Sequence, residues 1–379
     1  MKIEELLLRA SREGASDAFV TADAAPSIKV DGQIFPISDQ ILSDEEARVL
    51  VLSTMDDAQQ AEFLEHRECN YALTYEDLGR FRASAFVQRG KFGLVLRRIE
   101  TKIPRIDDLG LPPIIKELAM AKRGLVIFVG ATGTGKSTSL AAVVGHRNHN
   151  SRGHIISIED PIEFIHEHAG CIVTQREVGM DTESYEVALQ NSLRQAPDVI
   201  LIGEVRTAPG MAQALAFAET GHLCLCTLHA NNANQALDRI LSFFPAEQHN
   251  QVWMDLSLNL KAVVAQLLIP KKDGRGRRPA VEVLLNSPLI SDHIRKGEVH
   301  LIKEVMAKST QMGMQTLDQS LLQAYKEDDI SEEDALRYAD SANDMRLKIK
   351  MFDSGSYEVD ESLELTFDEV DTRGQFFDR

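Results

Sequence analysis

The 379-residue chain is long enough for two domains and a large core, and its 44% apolar and 26% charged residues suit an ordinary soluble protein. Its formal net charge of −17 counts against nucleic acid, whose phosphate backbone is met with Lys and Arg. No run reaches the ~18 apolar residues of a membrane span, and four cysteines without a C-x-x-C pair argue against a structural zinc and for reduced, buried thiols.

The N-terminus, Met1 to Arg9, breaks into charge too early for a signal peptide. It predicts a short amphipathic helix in a protein that stays in the cytoplasm. Strands are expected at Ala18 to Thr21 and Ile28 to Val30, with an Asp31-Gly32 turn into Gln33 to Ile37. Two helices follow, Asp44 to Leu52 (capped by Ser43) and Asp57 to Glu65. Strands at Cys69 to Thr74, Arg80 to Val87 and Gly93 to Ile99 complete an α+β unit. Thr101 to Pro113, with three prolines, reads as a linker into a helix over Ile114 to Ala121.

Beyond it, apolar runs at Leu125–Val129, Ile155–Ile158, Cys171–Thr174, Val199–Ile202, His222–Leu228, Val263–Ile269 and Ala280–Leu285 alternate with helical patterns. That alternation predicts a mostly parallel sheet covered on both faces. The basic cluster Lys271 to Arg278 is expected as a solvated hairpin loop, and Pro288 to Lys350 as helical. The remainder, Phe352 to Arg379, crowds acids among apolar residues and is expected to be disordered alone. The domains expected are therefore 1–100, a linker over 101–117, 118–350, and an acidic tail over 351–379.

The chemistry concentrates at Gly130-Ala131-Thr132-Gly133-Thr134-Gly135-Lys136-Ser137, a match to G-x-x-x-x-G-K-[ST] between an expected strand and helix. Glycines let successive N–H groups turn toward phosphate oxygens, and the helix adds its positive end. Lys136 can reach the β- and γ-phosphates, and the Ser137 hydroxyl can ligate Mg²⁺. The pattern reads as a nucleoside triphosphate site.

Hydrolysis also needs a group to orient water and one to hold the metal ion. Ligands of parallel sheets sit at the carboxyl ends of strands, where two acidic groups fall. One is Glu159-Asp160-Pro161-Ile162-Glu163; the other is Glu204, after Gly203, where an aspartate usually ends a metal-site strand. Asp198 lies a strand length of about 20 Å away and cannot substitute. His222 and His229 bracket one strand at an odd spacing, which makes them a poor metal pair. His229, at the carboxyl end, can sense a γ-phosphate. His222 reads equally well as structural.

Taken together, these segments resemble the hexameric secretion-type ATPases of type IV pilus retraction, the PilT/PilU family. The motifs are Gly130 to Thr138, Ile158 to Phe164, Leu201 to Arg206, and Glu219-Thr220-Gly221-His222 through His229-Ala230. The likeness runs from residue 1 to about residue 350. Cys171 to Gly179 and Tyr338 to Asn343 are similar to the accessory, PilU-like branch. In the stretch Leu289 to Lys296, Ser291 stands where PilT-like members carry an arginine.

The resemblance implies an α/β protein with a PAS-like N-terminal α+β domain and a RecA-like ATPase domain carrying C-terminal helices. It implies ATP and Mg²⁺ as cofactors and a ring of six copies with ATP between neighbours. The phosphate loop supplies Gly130, Thr132, Gly133, Thr134, Gly135, Lys136, Ser137 and Thr138. Glu163 is similar to the family's catalytic glutamate, and Glu204 to the one that supports Mg²⁺ together with Ser137. Arg80, Arg82 and Arg97 match arginines that act from a neighbouring subunit. Partners would be further copies, a PilT-like retraction ATPase and an inner-membrane platform protein at the pilus base, with no nucleic acid. An ATP-binding adaptor of little turnover and a RecA-like nucleic-acid translocase are the other two readings.

Overall fold

The computed structural model describes residues 2–30, 32–75, 78–99 and 102–354. Asp31 of the expected turn and the acidic run from Gly355 onward lie outside the described residues.

The N-terminal part opens with α1 (Ile3–Arg12), whose Ile3, Leu6, Leu7 and Ala10 recur at helical spacing and are all buried. It continues with β1 (Asp17–Thr21), β2 (Ser27–Val30), β3 (Gln33–Pro36), α2 (Asp44–Leu52), α3 (Asp57–His66), β4 (Glu68–Tyr75), β5 (Gly79–Gln88) and β6 (Lys91–Ile99). The strands form one sheet in the order β3-β2-β1-β6-β5-β4, with antiparallel pairing throughout. Along β5, Phe81, Ala83 and Ala85 are buried while Arg80, Arg82 and Ser84 alternate on the other face. Ser43 starts α2 with a reciprocal cap: its hydroxyl accepts from the Glu46 N–H, and the Glu46 carboxylate accepts from the Ser43 N–H.

The helix α4 (Ile114–Ala119) begins inside the expected 101–117 linker. Pro112 and Pro113 lie just before it, where a missing N–H costs nothing. Then follow β7 (Gly124–Val129), α5 (Lys136–Asn150), β8 (Gly153–Glu159), β9 (Cys171–Glu177), α6 (Tyr185–Ser192), β10 (Val199–Ile202), α7 (Ala208–Glu219), β11 (Leu223–Leu228), α8 (Ala233–Ser242), α9 (His249–Asn259), β12 (Leu260–Pro270) and β13 (Arg277–Leu285). The sheet order is β13-β12-β7-β11-β10-β8-β9, and β12 through β9 pair in parallel. On β7, Leu125, Ile127 and Val129 enter one hydrophobic core while Val126 and Phe128 enter another. Both faces of the strand are therefore dry, as the unbroken apolar run requires. The α/β fold class and its parallel sheet agree with the expectation.

The chain ends in α10 (Pro288–Lys296), α11 (Ile302–Lys308), α12 (Leu317–Lys326), α13 (Glu332–Tyr338) and α14 (Ala342–Asp353). Helix α14 therefore runs three residues past the expected boundary at 350. Phe352 meets the Tyr325 ring edge-on at 6.3 Å, and the Asp353 carboxylate accepts from the Tyr325 hydroxyl.

By internal contacts the chain divides into two compact units. One holds the described residues up to Leu268 with Pro279–Leu317; the other holds Ile269–Arg278 and the described residues from Asp318 on. In the second unit the β12–β13 loop is exposed, yet more than a solvated turn. Lys272 pairs with Asp328, and Arg278 pairs with Glu327 at 2.8 Å and Asp329 at 3.2 Å. Among the described residues no helix is long and apolar enough to cross a membrane.

Candidate functional site

Strand register brings the sequence motifs to one edge of the seven-stranded sheet. Val129 is level with Leu228 on β11 and with Ala265 on β12, so Gly130 and His229 leave their strands beside Gln266, where β12 runs on. Ile202 is level with Ile158 and Cys226, which brings Gly203 beside Glu159 and places Glu204 one residue beyond. Asp198 lies at the opposite end, where its carboxylate accepts from the His154 N–H at 2.8 Å. His222 is also at that end, bonded to Thr220 and the Phe217 carbonyl, and so separated from His229 by the strand.

The loop from Gly130 to Gly135 cannot carry side chains at its two ends. A Cβ on Gly130 (φ 153°) would meet the Thr134 hydroxyl at 2.5 Å and the Gln266 carbonyl at 2.7 Å. One on Gly135 (φ 87°) would meet the Gln266 side-chain nitrogen at 2.8 Å. Thr134 braces the loop by donating to the Ala131 carbonyl at 2.9 Å. Thr132 and Gly133 are exposed on its crest, Ser137 is exposed on the first turn of α5, and Thr138 is half-buried behind it. No side chain caps α5, which leaves its first amides directed at the loop.

Lys136 folds back over the loop. Its ammonium donates to the Gly130 and Ala131 carbonyls, each at 2.8 Å, and the side chain is buried. Burial pulls its pKa below the usual lysine value, and the Glu204 carboxylate opposes that shift. A buried cation held only by neutral carbonyls, beside uncapped helix amides, fits an anionic phosphate.

Glu204 is mostly buried and fully engaged. Oε2 accepts from Arg206 at 2.6 Å, and Oε1 lies 3.0 Å from His229 Nε2. Across from it, Glu159 and Glu163 divide one turn. Glu159 accepts from the Gln175 amide at 3.2 Å and from the Glu163 backbone, and burial raises its pKa. With its oxygens held, Glu159 shapes the turn; Glu163 is exposed at the same edge. Ser137 offers an exposed hydroxyl and Glu204 a carboxylate, oxygen donors of the kind Mg²⁺ takes, the carboxylate being shared with Arg206 and His229.

The three arginines lie on the other sheet. Arg82 is directly opposite Arg97 across β5 and β6, and Arg80 is two residues from Arg82 on the same face. Arg97 donates to Asp17 at 2.9 Å, whereas Arg80 Nε is buried and has no hydrogen-bond partner among the described residues. Ser291 donates to the Ser257 carbonyl at 2.7 Å and ties α10 to the end of α9. Sequence reading missed the Glu204–Arg206 pair and Gln266. The signal for Gln266 was available: it is a lone amide inside the run Val263 to Ile269.

Residues 2–344 match the family described as Type II/IV secretion system protein. The chain is 63% identical over 351 residues to the type IV pilus ATPase PilU of Pseudomonas aeruginosa, covering 93% of this chain and 92% of that one. To the type IV pilus retraction ATPase PilT of the same organism it is 40% identical over 321 residues, 85% and 93% of the two chains. Its fold is similar to the crystal structure of the pilus retraction motor PilT with bound ADP. The TM-score is 0.86 at 37% identity, and the match covers 92% of this chain and 99% of that one.

Proposed function

The chain belongs to the type II/IV secretion system protein family, and from that premise we propose that it is a motor subunit that hydrolyses ATP to drive or assist type IV pilus retraction. It is an ATPase of the PilT/PilU type. The observation that carries the reading is the convergence of the Lys136 loop, Glu204 with His229, and the Glu159–Glu163 turn on one sheet edge.

Lys136 and the first amides of α5 bind the β- and γ-phosphates of the substrate. Ser137 and Glu204 would hold Mg²⁺, which when bound neutralises phosphate charge. Glu204 is positioned by Arg206 and His229, and His229 stands where a γ-phosphate can be sensed. Glu163, exposed on the turn that Glu159 fixes, orients and polarises the attacking water.

Copies assemble as a ring of six, with Arg80, Arg82 and Arg97 acting on the nucleotide of a neighbour. The placement of all three on one face of the β5–β6 pair supports this. The ring works from the cytoplasm at the inner-membrane pilus base, beside a PilT-like ATPase and a platform protein.

The test is ATP turnover by the full chain. We predict that Lys136→Ala abolishes nucleotide binding or turnover, and that Glu163→Gln binds ATP but hydrolyses it at least a hundredfold more slowly. Near wild-type turnover by Glu163→Gln would move the water-orienting role elsewhere.

A further inference from the structure

Gln266 is an anomaly in its strand. It is 4% exposed, and its neighbours Val263, Val264, Ala265 and Ile269 are buried and apolar. A buried amide must find polar partners or destabilise the fold. The partners here belong to the phosphate-binding segment. The Gln266 side-chain oxygen accepts from the Ser139 hydroxyl at 2.7 Å, and Ser139 is 1% exposed on α5. Its side-chain nitrogen lies 2.8 Å from the place a Gly135 Cβ would take, and its backbone carbonyl 2.7 Å from the Gly130 equivalent. One residue on β12 thus touches the first and last glycines of the loop and the helix that follows.

We propose that Gln266 is a positioning residue that holds the phosphate loop and the start of α5 in their phosphate-receiving shape. It acts through the loop and Ser139, without touching the nucleotide. The consequence is selective. If the loop is preformed, binding does not have to order it, so losing the hold weakens nucleotide binding more than it slows the chemical step. The inference rests on the ATPase reading above.

The experiment compares wild type, Gln266→Leu, Gln266→Asn and Ser139→Ala as full chains, measuring KM and kcat for ATP, affinity for a non-hydrolysable ATP analogue, and melting temperature. Gln266→Leu removes the amide at similar volume; Ser139→Ala removes the other partner and leaves β12 intact. We expect both to raise KM and the analogue's dissociation constant by about five- to tenfold, with kcat within about twofold. That is the scale of one buried hydrogen bond. Combining them should give little more than either alone, because both delete the same bond. Gln266→Asn, with a shorter amide, should fall between.

A purely structural glutamine gives a lower melting temperature with KM and analogue affinity unchanged, and that result overturns the proposal. Should Gln266→Leu fail to fold, Ser139→Ala decides alone: unchanged affinity overturns, weakened affinity supports. If wild type itself neither binds nor hydrolyses ATP while Lys136→Ala matches it, the ATPase reading has failed instead.

Discussion

At Gly203, just past the end of β10, the chain runs so close to its neighbour that a Cβ would stand 3.1 Å from Glu159 Cα, 3.2 Å from the Tyr185 hydroxyl and 3.3 Å from the Ile158 carbonyl. An aspartate there would press on the backbone of Ile158 and Glu159, a strain avoided with the acid one residue later, at Glu204. We predict that Gly203→Asp lowers stability by about 1–3 kcal/mol through overpacking and pushes the Glu159 turn out of place. Turnover should fall more than tenfold while the fold survives in circular dichroism. An active Gly203→Asp enzyme would show that the turn yields freely. The position of Glu204 was legible in the sequence because an acid after an apolar run ends a strand. Its grip by Arg206 and His229 was not, because His229 comes from β11, and strand adjacency is a property of the sheet order.

Helices and strands were readable wherever one segment's own pattern decides them. The Ser43 cap is such a case, with both halves of the reciprocal bond within four residues. Ser43→Ala should destabilise α2 by about 1 kcal/mol. Hydrogen exchange should then quicken over Asp44–Leu52, with ATP turnover unchanged. Equal exchange rates would mean that packing on β6, not the cap, holds the helix. Element ends were less legible wherever distant residues set them. β9 continues through the polar Gln175 and Arg176 to Glu177 because pairing with β8 continues that far. α14 reaches Asp353 because Tyr325 and Lys326, a helix away, receive Phe352 and Asp353. The basic hairpin looked solvated because its acidic partners Glu327, Asp328 and Asp329 lie some fifty residues on.

For the whole molecule, the proposed ring would draw on two sheets that each copy carries separately: the phosphate loop on one and the Arg80–Arg82–Arg97 face on the other. Such an arginine is worth on the order of 10³–10⁵ in rate when it stabilises transferring phosphate. We predict that Arg97→Ala and Lys136→Ala are each inactive and that their mixture regains partial turnover, because some interfaces then join an intact loop to an intact arginine. A mixture that co-assembles by size measurement yet stays inactive would rule out action between copies. The number of copies is not written in any motif, since it follows from how curved surfaces close. The four cysteines offer a way to watch that closure. All are buried, and burial raises the pKa of each thiol, Cys226 to about 12, so none presents a reactive thiolate near neutral pH. A single cysteine placed on the exposed hairpin loop, as in Arg275→Cys, would therefore take a maleimide dye alone. Spacing between copies then becomes measurable by energy transfer on a chain whose native thiols need no removal.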